Sequence, residues 1–237
     1  MGINLTTVLY ALLTGFLPVF FWLWFWMRQD CHPEPKTSLL IGFVAGCLAV
    51  IASFFLEKFA AGNPFFPSTT KEFFMYVTPA IEELSKFVFA YIFVLHAKEN
   101  DERIDPMIYM ITVALGFAAL ENTLFLLDPF IKGDIATGFI TGNMRFIGAT
   151  LIHTVSSATI GFGMAIAYCW SSWSKRVTTF IAIIVAIGLH GLFNFFIIKT
   201  GGDGKIYSFI IVWGLAIVLM IAFQRIRQAK QVCPIIN

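Results

Sequence analysis

Seven stretches of mostly apolar residues recur along the chain, at roughly 5–27, 38–56, 73–96, 106–127, 142–170, 177–198 and 206–223. Each approaches or exceeds the roughly 20 residues a helix needs to cross a bilayer core. Short polar connections separate them: Arg28–Lys36 with two prolines, the Gly62/Pro64/Pro67 loop, the charged Lys98–Asp105 turn and the Gly201–Gly204 turn. Alternating strand patterns are absent, and lipid requires every spanning backbone to satisfy its own polar groups. The pattern predicts an all-α polytopic membrane helix bundle of about seven transmembrane helices. No internal repeat or low-complexity tract divides it, so 1–237 reads as a single integral membrane domain. The first run lacks a basic leader and exceeds a signal-peptide core in length, which predicts a retained span.

Composition agrees. The chain is 58% hydrophobic and only 13% charged, with a mean hydropathy of +0.81; soluble domains carry about 25% charge. A net charge of +2 and the lack of a basic stripe exclude nucleic acid as a partner. Cys31, Cys47, Cys169 and Cys233 are far apart without a CxxC pair, which speaks against a disulfide framework or a cysteine zinc site. Orientation follows from the positive charges. Lys58, Lys71, Lys132, Lys199 and Lys205 fall on the side of the N-terminus. Arg28, Lys36, Lys98, Arg103, Lys175, Arg176, Arg225, Arg227 and Lys230 fall on the other. The excess predicts an external N-terminus and a cytoplasmic C-terminus, in a bacterial-type plasma membrane.

Polar residues interrupt four of the apolar runs. Glu82, Glu83 and Lys86 lie in the third, Glu121 and Asn122 in the fourth, Arg145 and His153 in the fifth, and His190 and Asn194 in the sixth. An ionisable group at mid-membrane costs about 2.5–3.5 kcal/mol on insertion scales, so such residues mark a functional interior. At 1.5 Å rise per residue, Glu82 and His153 lie roughly 15 Å from the outer boundary, His190 roughly 13 Å and Glu121 roughly 10 Å. Taken singly each has an ordinary reading. Glu82 and Lys86, at i and i+4, make a structural ion pair. His153 and the His190/Asn194 pair serve as interhelical hydrogen-bonding groups. Glu121 faces the interface, and Arg145 snorkels to headgroups. Their matching depth on four consecutive helices favours one shared site. Small residues beside them (Gly116, Gly148, Gly161, Gly188, Gly191) permit the close helix approach such a site needs.

Four short runs resemble the PrsW family of intramembrane proteases. Glu82-Glu83-Leu84-Ser85-Lys86 resembles its EExxK element, and Glu121-Asn122 within GFAALENTLF its second element. Arg145 and His153 in RFIGATLIHTVSSATIGFG resemble the third, and His190-Gly191-Leu192-Phe193-Asn194 the last. They occur in order, in a core of about 72–198, with accessory spans 5–56 and 206–223. The family is similar to the CAAX-prenyl endopeptidases and bacteriocin-processing membrane proteases. Phe125 stands where many relatives carry Tyr, so a hydroxyl there is lost. The resemblance implies an intramembrane endopeptidase that cleaves a single-span or membrane-anchored protein near the outer face. This is site-1-type proteolysis, with an anti-sigma factor as an example of the substrate.

Peptide hydrolysis needs an activated water, a polarised carbonyl and a proton for the leaving amine. The residues suggest Glu82 as general base holding the water with His153, and His190 with Asn194 as donors to the oxyanion. Glu83 and Lys86 orient and neutralise, Glu121 orients a histidine, and Asn122 and Arg145 support. A metal version uses Glu82, Glu121, His153 and His190 as zinc ligands with an open position for water; the metal-free glutamate route is its alternative. Either version predicts a polar cavity open to the outer side. Two other classes stand beside the peptidase: an ion- or proton-coupled transporter with a buried Glu/His/Arg relay, and a non-catalytic scaffold that binds membrane helices.

Overall fold

The computed structural model describes residues 4–29, 32–66, 70–199 and 201–229, except for the side chains of 199 and 201–205. Cys31, Pro67, Lys230 and Cys233, and the side chains of Lys199 and Lys205, therefore lie outside the described residues. Among the described residues the chain forms seven long helices and no strand. α1 is Leu5–Met27 and α2 is Lys36–Ala61. α3 runs through Thr70–Glu72, a π-helical turn Phe73–Val77 and Thr78–Phe93. α4 is Asp105–Ile131. α5 is Ile135–Ile166, with a π-helical turn at Arg145–Ala149. α6 is Ser172–Lys199 and α7 is Gly201–Gln228. All but α3 are long and apolar enough to cross a membrane. The exception is the helix that carries Glu82, Glu83 and Lys86.

The helix ends follow from local chemistry. Asn4 caps α1 by accepting the Thr7 N–H at 2.8 Å, and Asp134 caps α5 by accepting the Thr137 N–H at 3.0 Å, which satisfies donors no helical carbonyl reaches. Asp105-Pro106 opens α4, where a missing N–H does no harm. The fifth helix begins at Ile135, a full two turns before the apolar run does, because the polar stretch around Thr137, Thr141 and Asn143 is helical too.

α4 is the axis of the bundle. It is 72% buried across its most apolar window, as is α5, against 17% for α1. α1, α2 and α5 all pack on it. Backbone-to-backbone approach makes this possible. A Cβ on Gly46 of α2 would collide with the Val113 carbonyl of α4, and one on Gly116 of α4 with the Phe43 carbonyl of α2. Gly161 of α5 would likewise strike the backbone at Pro106 and Met107. These are the contacts that small residues supply where lipid gives no hydrophobic drive to association. Gly188 differs from expectation, since a Cβ there would meet nothing. The outer faces of α1, α2, α6 and α7 present apolar side chains such as Leu17, Phe54, Phe59, Phe180 and Val218. A belt of that kind is suited to acyl chains rather than water. Cys47 is free, while Cys169 is disulfide-bonded, a pairing the cysteine spacing did not predict.

Candidate active site

Glu82, Glu83, Lys86, His153 and His190 are all buried, Glu83 and Lys86 completely. The residues marked by sequence on α3, α4, α5 and α6 converge, and the histidine rings stand 4.9 Å apart at 88°. Glu82 Oε2 lies 3.7 Å from His153 Nδ1 and 3.7 Å from His190 Nε2. It has no hydrogen-bond partner. A buried carboxylate oxygen without a partner is expensive.

Every other member is held. Glu83 Oε1 receives Lys86 Nζ at 2.5 Å and lies 2.9 Å from His190 Nδ1; its Oε2 accepts the Ser157 hydroxyl at 2.9 Å. The ion pair is therefore Glu83–Lys86 at i,i+3, and not the Glu82–Lys86 pair that i,i+4 spacing suggested. Both spacings lie on one helix face, and Ser157 and His190 sit where they hold Glu83 toward the lysine. Lys86 Nζ also lies 3.0 Å from His153 Nδ1 and stands over the Phe117 ring.

On the other edge of its ring, His153 Nε2 is 3.0 Å from Glu121 Oε2, and Arg145 Nη2 pairs with that same oxygen. Arg145 Nε donates to Asn122 Oδ1 at 2.6 Å, and Asn122 Nδ2 donates to the Thr150 hydroxyl at 3.0 Å. The guanidinium lies 4.0 Å from the centre of the Phe125 ring. Phe125 thus lacks a hydroxyl but supplies a face for cation–π contact. Arg145 is tied into the site rather than snorkelling.

Asn194 behaves differently from the geometry its spacing suggested. Its Nδ2 donates to the Phe74 carbonyl at 3.0 Å. The cause is Pro79. In the π-helical turn Thr78 N–H reaches back five residues to the Phe73 carbonyl, so the next carbonyl, Phe74, would take its donor from residue 79. Proline has none. Asn194 fills the gap, and α6 comes close enough because residue 191 is glycine: a Cβ there would lie 3.0 Å from the Met75 carbonyl.

A cavity of about 430 Å³ opens onto this group, lined by Glu82, Glu121, Arg145, His153, His190 and Asn194 and by apolar side chains of α3, α5, α6 and α7. A second of about 430 Å³ lies across Glu82, between α2, α3 and α4. It brings in Glu57 and Ser53 and shares Thr78 with the first, three residues the sequence did not single out. Glu57 sits beside Lys58 at the end of an apolar run and reads there as a boundary residue. Its i,i+4 relation to Ser53 was the available signal.

The donor types suit a metal, and Lys86 Nζ, 3.0 Å from the His153 nitrogen that faces Glu82, competes for that nitrogen. Glu82, His153 and His190 each offer an atom within 4.8 Å of the others. A tetrahedral zinc with arms of 2.0–2.1 Å sets its ligands about 3.4 Å apart, close to the two 3.7 Å separations at Glu82. The distal nitrogens rest on Glu121 and Glu83, the carboxylate backing that metal-bound histidines usually have. Glu121, expected among the ligands, instead faces Arg145 and His153 and is outside this group of three. Charge points the same way: three carboxylates face Lys86 and Arg145, leaving one negative charge unmatched at Glu82.

Fold and site together define a polytopic membrane protein with a buried cluster of carboxylates and imidazoles. The sequence profile of the PrsW family intramembrane metalloproteases matches residues 34–223, and the chain belongs to that family. It is similar to Protease PrsW of Geobacillus kaustophilus, 26% identical over 210 residues that cover 87% of this chain and 86% of the relative. Protease PrsW of Oceanobacillus iheyensis is 24% identical over 94% of this chain and 98% of its own length. Protease PrsW of Bacillus subtilis is 25% identical over 73% and 75%. No solved structure matches the chain. Family membership makes the protein a membrane peptidase of the bacterial plasma membrane and sets aside the transporter and scaffold classes.

Proposed function

We propose that the chain hydrolyses a membrane-anchored, single-span protein at the Glu82–His153–His190 group, near the outer face of the bilayer. The observation that carries this is the unpartnered Glu82 oxygen between two imidazoles, at the wall of an open cavity. Glu82 takes the proton of the attacking water, and His153, braced by Glu121, holds that water on the other side. Asn194 uses one amide hydrogen on Phe74 and keeps the second for the developing oxyanion. Glu83 fixes His190 and neutralises Lys86. The apolar cavity wall, with Phe74, Ile140, Phe193 and Ile197, suits an unwound stretch of transmembrane substrate. An anti-sigma factor is one substrate of that shape.

Zinc suits the set of one carboxylate and two imidazoles, held by Glu82, His153 and His190, and would supply Lewis-acid polarisation and a water of lowered pKa. The metal-free reading has its own support: Lys86 Nζ, 3.0 Å from His153 Nδ1, occupies the direction in which that nitrogen would bind a metal. In that form Glu82 takes the proton of the water with no metal beside it, and Asn194 is the oxyanion donor. Elemental analysis of the purified protein, with cleavage of single-span substrates with and without chelator, separates them. Stoichiometric zinc with chelator-sensitive cleavage supports the metal; intact cleavage without metal supports glutamate alone; no cleavage of any substrate overturns the proposal.

We further propose the N-out orientation on the charge asymmetry. Cys169 lies on the side this assigns to the cytoplasm and is disulfide-bonded, a state more at home on an oxidising face. An impermeant thiol reagent applied outside decides it. Cysteine in place of Lys132 labels under the proposed orientation, and cysteine in place of Lys175 under its inverse.

A further inference from the structure

Phe74, Thr78, Glu82, Glu121 and Phe125 line both cavities, which meet there, and beyond that shared wall the two differ in chemistry. The one shared with α5 and α6 holds both histidines, Asn194 and Arg145, which are the groups able to donate to a carbonyl or bind a metal. The cleft between α2, α3 and α4 holds no imidazole or cation. Its polar members are Ser53, Glu57, Thr78, Glu82 and Glu121. Three of them carry buried atoms without a partner: Ser53 Oγ, Thr78 Oγ1 and Glu82 Oε2, on residues that are 2%, 4% and 5% exposed. Acyl chains cannot satisfy a hydroxyl or a carboxylate, whereas a water with two to four polar neighbours can. A volume of about 430 Å³ has room for several, since each takes roughly 30 Å³ in the liquid. On α2, Val50, Ser53, Phe54 and Glu57 form one face at helical spacing. Glu57 is the last polar step, one turn from the helix end at Ala61.

We propose that this cleft is the water path to Glu82, stepping from Glu57 past Ser53 to Thr78, and that it enters from the α2 side and meets the cavity that takes the polypeptide only at their shared wall. The inference rests on the peptidase reading above. It gives the attacking water and the oxyanion donors opposite sides of the scissile carbonyl, with Glu82 between them. Glu57 and Ser53 are positioning residues, since neither touches the reacting atoms.

The test uses the full chain in proteoliposomes with single added cysteines, read as labelling by a water-soluble thiol reagent above the wild-type background. Ser53→Cys is compared with Phe55→Cys, two residues away and 64% exposed on the apolar outer face. A hydrated cleft lets the thiol ionise, so Ser53→Cys labels about ten-fold faster or more. The adduct, like Glu57→Leu, then lowers kcat and leaves KM unchanged. If Ser53→Cys does not accumulate, Val50→Cys lines the same cleft and replaces it. Equal slow labelling means acyl chains fill the cleft, and a rise in KM means substrate does; either overturns the path. Fast labelling in a protein that cleaves nothing keeps the path and removes the peptidase reading. Slow labelling in a protein whose cleavage depends on Glu82 does the reverse.

Discussion

His190 Nδ1 lies 2.9 Å from Glu83 Oε1, and this contact puts two adjacent glutamates in different surroundings. With Nδ1–H held by Glu83, the lone pair of Nε2 faces Glu82, so one carboxylate orients the ring that the other works beside. Glu82→Gln should therefore abolish cleavage, by about 10³-fold or more given the usual contribution of a general base. It should leave thermal stability nearly unchanged, because Glu82 Oε2 has no partner to lose. Glu83→Gln should cost both. Lys86, completely buried, would lose its counter-charge, a loss of about 3–5 kcal/mol when a buried pair is broken. Cleavage assays beside melting curves in detergent check this; two variants with equal Tm losses would overturn the division of roles.

Arg145→Lys keeps the charge and loses the fork. The guanidinium reaches Glu121 through Nη2 and Asn122 through Nε, and an ammonium cannot span both acceptors while lying on Phe125. Glu121 is then less firmly set beneath His153. Activity should fall by about 10–100-fold, the usual loss when a group backing a ligand or base is removed. If the metal form holds, bound zinc measured by elemental analysis should fall with it. Unchanged activity would mean that Arg145 only stabilises the bundle.

Asp134 lies at the exposed start of α5, where it accepts both the N–H and the hydroxyl of Thr137, at 3.0 Å and 2.6 Å. Those two bonds hold its carboxyl below the ordinary value. A depressed pKa gives a contribution that is complete above the unfolded value of about 3.9 and lost as pH falls through the folded one. Hydrogen exchange at the Thr137 amide should therefore gain amplitude below about pH 4. Asp134→Asn should remove the pH dependence and keep the cap, and Asp134→Ala should fray the turn at every pH. Ile140, Thr141 and Met144 lie just beyond and line the cavity proposed to take the substrate, so the fraying variant should also raise KM.

The spans were legible because apolar length is a direct property of sequence, and a site within them was legible because buried charge is costly in lipid. Direction was not. Spacing alone allows Lys86 to meet Glu82 or Glu83, and the choice is made by Ser157 and His190 on other helices. Glu121 looked like a metal ligand by residue type, yet Arg145, at the start of the π-helical turn Arg145–Ala149, takes one of its oxygens. Glu57 was hidden by position. A carboxylate at the end of an apolar run looks the same whether it faces headgroups or, as here, a cleft leading to Glu82.

Asn194 offers the sharpest separation of structure from chemistry, because its partner exists only through Pro79. Removing the amide in Asn194→Ala leaves the Phe74 carbonyl without a donor, at a cost of about 1–3 kcal/mol for an unsatisfied group. In a Pro79→Ala background residue 79 regains an N–H, and the π-helical register already shown by Thr78 and Phe73 would bring it to Phe74. The stability cost of Asn194→Ala should then shrink, giving a coupling that a double-mutant cycle reads directly. Catalysis should not recover in the same way. If the second amide hydrogen serves the oxyanion, the Pro79→Ala/Asn194→Ala protein will regain its Tm and still show a lowered kcat, since no backbone N–H on α3 replaces a donor on α6. Recovery of kcat together with Tm would reduce Asn194 to a strut between α3 and α6 and return the oxyanion to His190 or a metal.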